Sequence, residues 1–311
     1  MRKGKVLVTG LVFTLEEHLE KLRRAGYELD IQPNPKLSEA ELVKLVKGKV
    51  GYILGGTEQV TDKVIKAADQ LKVISFTGVG WEAVLTGWQA AKKRGIVISN
   101  APGGNAVSVA EFSVTMALIM QRRILELGRG GDKISETTTS INGLNIGLVG
   151  AGNIGTKIAQ MIRGFEPGKI VYHNKSKKSV AEEFGGEYTD MDTLARESDI
   201  IFVSVPMSAG QLLNKQRVQS MKENALVINV SPLESIDMDA LYERLESGTV
   251  RGAFDWPPPE EKYKELSPDV FFYTNSHTAY NTVQTKQRCS ELVLQSFHNL
   301  METGKDKNRI V

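Results

Sequence analysis

Short runs of β-branched and aliphatic residues alternate along the chain with stretches whose apolar positions recur every three or four residues. In the first third this pattern predicts strands at 5–9, 27–32, 49–54, 72–76 and 96–99, with helical segments at 15–24, 39–46 and 61–68 between them. Thr61, followed by Asp62 and Lys63, has the form of a helix cap. The Asn-Ala-Pro-Gly-Gly-Asn break at 100–105 closes this series, and a long helix is expected over 107–127. Residues 128–143 are polar, glycine-bearing and without period, which reads as a loop. A second strand series follows at 145–149, 169–173, 199–205, 225–230, 250–254 and 270–274. The last helix, at 283–301, has no strand of its own; packed back on the first domain, it would make the second an insertion. The expected fold is α/β, with two doubly wound parallel-sheet domains, one from residues 1–100 plus 280–311 and one from 101–279.

Composition narrows the function classes. The 311 residues are 41% apolar and 24% charged, which argues against a wholly disordered chain. Thirty-nine basic against 37 acidic side chains leave +2, so no basic surplus points to nucleic acid. The single cysteine, Cys289, cannot form an internal disulfide or a cysteine-built zinc site. The apolar run in the opening MRKGKVLVTG is too short for a signal peptide, and no stretch approaches the ~20 apolar residues of a spanning helix. A cytoplasmic protein without a membrane partner is expected.

The most specific local signal is Gly150-Ala151-Gly152-Asn153-Ile154-Gly155, a G-x-G-x-x-G between a predicted strand and a predicted helix. Gly150 suits a tight turn, Gly152 allows a pyrophosphate to approach the backbone, and Gly155 permits close helix–strand packing. The helix N-terminus at Asn153 and Ile154 offers amide donors to phosphate. A dinucleotide is the expected cofactor. The carboxylate that would bind an NAD ribose about 20 residues on is missing; Asn174, Lys175, Ser176 and Lys177 stand there instead. Such a cluster can hold a 2′-phosphate by charge-assisted hydrogen bonds, so NADP is expected, with NAD the weaker alternative. The plainer reading is a solvated lysine loop.

Gly78-Val79-Gly80, Asn100-Ala101-Pro102-Gly103, Val109-Ala110-Glu111, the glycine fingerprint, Asn229, Asp255 and His277-Thr278-Ala279 together resemble the D-isomer-specific 2-hydroxyacid dehydrogenase family. The likeness covers nearly the whole chain, and 173–177 looks like the NADP-using glyoxylate reductases of that family. The resemblance implies a Rossmann cofactor domain inserted into a flavodoxin-like substrate-binding domain. It also implies a histidine that gives a proton to the carbonyl oxygen, a glutamate that supports the imidazole, and an arginine that binds the substrate carboxylate. His277 falls on the histidine. Imidazole can exchange a proton near neutral pH, and a carboxylate partner would raise its pKa. Glu260 falls on the glutamate, with Glu261 adjoining it. Asp255 falls on the acid that accepts from the nicotinamide carboxamide. Val205, Pro206, Val230 and Ala279 complete the expected cofactor contacts, and backbone amides at Val79 and Gly80 are expected to orient the substrate.

One family feature is missing. The arginine loop reads Asn229-Val230-Ser231-Pro232-Leu233, so a proline occupies the arginine's place. Proline donates no hydrogen bond. The expectation is an NADP-dependent oxidoreductase with an atypical substrate site, acting on a small carbonyl or hydroxyl compound. The alternative is a catalytically impaired NADP(H)-binding protein that serves as a sensor or interaction partner. No metal is expected, because no His/Asp/Glu pair has ligand spacing. A homodimer is expected; the apolar helix at 107–127 suggests an interface, and burial against its own domain explains that helix as well.

Overall fold

The structure is a computed structural model that describes residues 3–34, 36–128 and 137–311. The chain forms two compact units, Met1–Asn105 with Asn281–Val311, and Ala106–Tyr280.

The first unit is built on β1 (Gly4–Thr9), β2 (Tyr27–Gln32), β3 (Lys49–Leu54), β4 (Val73–Phe76) and β5 (Val97–Ser99). They are parallel in the order β2-β1-β3-β4-β5, the flavodoxin-like arrangement. Both faces of this sheet are covered, so its inner strands β3 and β4 read as nearly continuous apolar runs, while the edge strand β2 does not. Val6, Val8 and Ile53 pack with Val293 and Phe297, while Leu7, Tyr52 and Leu54 pack with Leu42, Val64 and Ile65 on the other side. Val293 and Phe297 come from the last helix, Val283–Thr303, which therefore belongs to this unit. Its start is capped by the Thr282 hydroxyl, which accepts from the Thr285 amide at 3.1 Å. Its end turns through Gly304 at φ 70°. Phe297 is fully buried, and truncating it to Ala would cost about 3–5 kcal/mol. The chain's last residues return to β5, where the Ile310 amide donates to Ile98 O at 2.8 Å. This covers an otherwise open sheet edge.

Thr61 precedes the helix Asp62–Ala67, but its side chain does not cap it. The hydroxyl donates instead to Glu39 Oε1 at 2.6 Å, tying two helix starts together.

The second unit holds β6 (Asn145–Val149), β7 (Lys169–His173), β8 (Gly186–Tyr188), β9 (Ile200–Val203), β10 (Ala225–Asn229), β11 (Val250–Phe254) and β12 (Phe271–Tyr273). All are parallel in the order β12-β11-β10-β9-β6-β7-β8. The order reverses between β6 and β9, which makes the switch point of a doubly wound sheet. The pattern predicts six of these strands and omits β8. That strand is three residues long and only its first, Gly186, is buried, so it carries no apolar signal.

The helix expected at 107–127 is two helices, Ala106–Gln121 and Ile124–Gly128. The break falls at Arg123, which takes φ 49° and places its guanidinium against Glu126 and, at 3.6 Å, Asp269. Of the expected loop at 128–143, Gly128 ends a helix, residues 137–143 belong to no helix or strand, and residues 129–136 lie outside the described residues. No helix among the described residues is long and apolar enough to cross a membrane.

Candidate active site

Parallel strands present all their carboxyl ends at one edge, so the loops after β6, β7, β9, β10, β11 and β12 gather there. The glycine fingerprint is the first of these loops. Gly150 has φ 96°, and a Cβ there would sit 2.6 Å from Ser204 O. A Cβ on Gly155 would sit 2.0 Å from Gly150 O, so the helix Asn153–Ile162 can approach the loop only with glycine at that position. Gly152 differs from both, because a Cβ there meets nothing within 4 Å. Two glycines are needed to close the turn, and the third leaves open space over backbone at a helix N-terminus. The first-turn amides of an α-helix lack intrahelical partners, so Gly152, Asn153 and Ile154 form a cradle that fits a pyrophosphate.

The loop after β7 begins at His173, whose Nδ1 lies 2.9 Å from Thr189 O. Asn174 closes a turn by donating to Ser176 O at 3.1 Å. Lys175, Ser176 and Lys177 are exposed, and the Lys177 ammonium sits over the Tyr188 ring, 5.9 Å from its centroid. Tyr188 also donates to Asn174 O at 3.3 Å. The three-residue β8 therefore supports the loop that carries the basic cluster.

After β9 and β10 the two loops are bonded to each other. The Val205 amide donates to Ser231 Oγ at 2.7 Å, and Ser231 is tied back to Asn229 by a pair of bonds of 3.0 and 3.1 Å. Val230 is buried while Pro206 is exposed. Pro232 has φ −53° and opens a short 3-10 turn, Leu233–Ser235, with its carbonyl accepting from the Ser235 hydroxyl at 2.8 Å. Arg251 and Arg94 are both bonded to other groups in their own units. Arg251 lies four residues before Asp255 on β11, about 13 Å along the strand, and bonds Met120 O at 2.9 Å and the Gln121 side chain. Arg94 is committed to the carbonyls of Ile65 and Ala68.

His277 meets a carboxylate, but not the expected one. Its Nε2 is 3.3 Å from Oδ2 of Asp255, which follows β11 and has no exposed side-chain surface. Asp255 also accepts from the Thr274 hydroxyl (3.1 Å), the Thr278 amide (3.0 Å) and the Ala279 amide (3.1 and 3.0 Å). This one carboxylate folds the segment from β12 to Ala279 around itself and brings His277 with it. The structure does not bring Glu260 to His277. Pro257, Pro258 and Pro259 carry the chain outward, and Glu260 is half exposed and paired with Lys262 at 3.0 Å. Glu261 pairs with Lys264 at 2.7 Å.

The imidazole is packed on two sides. Trp256 stacks on it with ring centroids 4.2 Å apart and planes 18° apart, and Tyr280 meets it edge-on at 4.9 Å. Burial pushes the His277 pKa below its ordinary 6.5, and the attraction of Asp255 opposes that without overcoming it. The sequence expectation had the sign the other way, because it counted the carboxylate and not the aromatic walls. His18 and His173 have structural partners: His18 is buried with Nδ1 2.8 Å from Ser290 Oγ, and His173 bonds Thr189 O.

In the first unit, Val79 and Gly80 follow β4. Asn100 donates to Val79 O at 3.0 Å, and the Trp81 amide closes on the same carbonyl at 2.9 Å. Val79 is exposed, and nothing lies within 4 Å of a Cβ on Gly80.

Comparison with known proteins agrees with this architecture. The family model described as D-isomer specific 2-hydroxyacid dehydrogenase, NAD binding domain, matches residues 114–279. A hydroxypyruvate reductase from Thermotoga maritima is 31% identical over 92% of this chain and 96% of its own. A D-3-phosphoglycerate dehydrogenase from Archaeoglobus fulgidus is 28% identical over 95% of this chain, which spans only 57% of that longer protein. The crystal structure of TT0316 protein from Thermus thermophilus superposes with a TM-score of 0.85 at 27% identity, covering 99% of this chain and 100% of that one. With a glycine turn opening a helix N-terminus at the switch point and a histidine–carboxylate pair on the same sheet edge, the chain belongs to the D-isomer-specific 2-hydroxyacid dehydrogenase family and is a nicotinamide-dependent oxidoreductase acting on CH–OH donors.

Proposed function

We propose that the protein is an NADP-dependent reductase that interconverts a carbonyl compound and its hydroxyl form, with His277 as the acid/base. The observation that carries this reading is the His277–Asp255 pair at the edge where the glycine cradle opens. Gly150, Gly152, Asn153, Ile154 and Gly155 would hold the pyrophosphate. Asn174, Lys175, Ser176 and Lys177 would hold a ribose 2′-phosphate, and Val205, Pro206, Val230 and Ala279 would flank the rest of the cofactor. The bound nicotinamide supplies or accepts the hydride. His277 gives its proton to the carbonyl oxygen as charge builds there, and takes it back in the reverse direction. Asp255 stands behind the ring, orienting it and favouring the imidazolium.

Val79 and Gly80 are proposed to orient the substrate through backbone groups. Pro232 in place of an arginine supports a substrate held by something other than a guanidinium–carboxylate clamp. It is also the observation that favours the second reading, a non-catalytic NADP(H)-binding protein. A cytoplasmic homodimer is proposed; Ile124 and Leu127, 50% and 46% exposed, offer apolar surface for the contact.

Two titrations test this reading. NADPH should bind at least about tenfold tighter than NADH, a difference of about 1.4 kcal/mol. A screen of 2-keto acids, keto-phosphates and keto-sugars should then reveal a reduction that His277→Gln abolishes. Cofactor binding without turnover on any of these classes would favour the non-catalytic reading.

A further inference from the structure

Trp256 directly follows Asp255 at the carboxyl end of β11, and nothing above gives it a part in binding or chemistry. Its indole lies nearly parallel to the His277 imidazole, 4.2 Å away and tilted by 18°. Asp255 faces Nε2 of the same ring at 3.3 Å, and Tyr280 meets it at 69°. These two are the titratable groups that face the imidazole, while 32% of the His277 side chain stays exposed. A carboxylate at one nitrogen fixes a point, not a plane. The outer torsion of histidine is broad and roughly two-fold, so the ring can still rock about that contact. A flat wall along one face removes the freedom.

A second observation concerns the indole itself. Trp256 Nε1 is buried and has no hydrogen-bond partner, whereas a buried indole N–H usually finds one. The side chain is therefore placed by its ring face rather than by its polar atom, and that face covers His277. Pro257, Pro258 and Pro259 follow it. Each proline holds φ near −65°, so the segment carrying the indole is stiff.

We infer that Trp256 is a positioning residue that fixes the imidazole plane of His277 and keeps the ring in one orientation for proton transfer. This inference rests on the reading of His277 as the acid/base.

The experiment combines proton NMR with kinetics. The Hε1 signal of His277 is identified among the four histidines by its loss in His277→Gln. In the unaltered protein it should lie upfield of the other three, because it stacks on an indole at 4.2 Å, whereas His173 stacks on the Tyr188 ring at 5.8 Å. Trp256→Leu keeps bulk without a π face and should move the signal downfield; Trp256→Phe should keep most of the shift. With NADPH and the keto compound that the screen of 2-keto acids, keto-phosphates and keto-sugars shows to be reduced fastest, Trp256→Leu should lower kcat by about 10–100-fold, the size expected of a misplaced catalytic group, with KM little changed. Trp256→Phe should restore kcat to within about threefold of the unaltered protein.

An Hε1 signal without the upfield shift overturns the inference, and that measurement needs no variant at position 256. So does an unchanged kcat in Trp256→Leu when His277→Gln abolishes turnover. A rate unaffected by His277→Gln counts against the acid/base reading instead, and the chemical shift then decides the stack by itself.

Discussion

Asp255 Oδ2 approaches His277 Nε2 to 3.3 Å while the same carboxylate accepts from two backbone amides and a threonine hydroxyl. The carboxylate is both the organiser of the loop and the partner of the imidazole. Asp255→Asn should therefore lower kcat by about 10²–10⁴-fold, comparable to losing the acid/base itself. Glu260→Gln should leave kcat within about threefold, because it disturbs only a solvent-screened surface pair with Lys262. Steady-state kinetics on the two variants separate the assignments: a severe Glu260→Gln with a mild Asp255→Asn would return the role to the glutamate. Asp255→Ala should also destabilise the fold, since each buried donor left without an acceptor costs about 1–3 kcal/mol.

The pH dependence follows from burial. The His277 pKa lies below 6.5, with desolvation the dominant cause. Reduction needs the imidazolium, so kcat/KM for reduction should fall as pH rises through a midpoint below 6.5, and oxidation should rise over the same range. Stability shares the window. Between the folded pKa and 6.5 the unfolded chain binds more protons than the native one, so this group makes stability fall on acidification. His277→Gln should remove the limb from the rate profile. A limb centred above 6.5 would show that Asp255 outweighs burial.

The two kinds of glycine in the fingerprint should respond differently to one methyl group. Gly152→Ala adds a Cβ into open space, so the melting temperature should hold while NADPH binding weakens about tenfold or more, about 1.4 kcal/mol. Gly155→Ala puts a Cβ 2.0 Å from Gly150 O and should destabilise the unit itself, by about 1–3 kcal/mol. Thermal melts and cofactor titrations on both variants check this. Equal loss of stability in the two would mean that Gly152 is a structural residue and not the floor of a phosphate site.

Cofactor choice is tested at Lys175 and Lys177. Replacing both by Ala should weaken NADPH by about 10–100-fold, the loss of one or two charge-assisted bonds, and change NADH by less than about threefold. Fluorescence titration of each cofactor reads the ratio directly. An equal effect on both cofactors would assign the lysines to general attraction of anions rather than to the 2′-phosphate.

Strands with a β-branched, aliphatic or aromatic run are legible in the sequence, and the one strand without such a run, Gly186–Tyr188, is not. The strands containing Val6–Val8 and Ile200–Val203 are buried on both faces and announce themselves as aliphatic runs. Gly186–Tyr188 gives no such run, although its Tyr188 ring holds the loop of the basic cluster. The glycine positions were readable because a turn, a close approach and an open face each demand the same residue type. The partner of His277 was not. Chain spacing favours Glu260, but three prolines and Lys262 turn it outward, while Asp255 sits at a strand end where the sheet delivers it to the histidine. Buried polar contacts were equally silent: Tyr52, in the run 49–54, donates to buried Glu58 at 2.9 Å, and no local pattern marks that pair. Local sequence encodes backbone preference and burial well, and the pairing of side chains across loops poorly.

The last prediction concerns Pro232. The family resemblance puts an arginine here, and a guanidinium meets a carboxylate through two parallel charge-assisted bonds. Proline offers neither a side-chain donor nor an amide. Arg94 and Arg251 are both bonded to carbonyl oxygens elsewhere. Glyoxylate, pyruvate and hydroxypyruvate should consequently be poor substrates, with turnover well below about one per second even at millimolar concentration. Robust turnover of any of them would show that the carboxylate is held without a guanidinium at this position. Pro232→Arg is the sharper test. The backbone at 232 lies at φ −53° and ψ 142°, extended values that arginine adopts freely, and the bonds that shape the loop use the 232 carbonyl rather than its nitrogen. The substitution should therefore keep the fold, and kcat/KM for glyoxylate should rise at least about tenfold, the equivalent of about 1.4 kcal/mol of transition-state binding. A folded Pro232→Arg protein with no gain would mean that the missing guanidinium is not what limits small 2-keto acids.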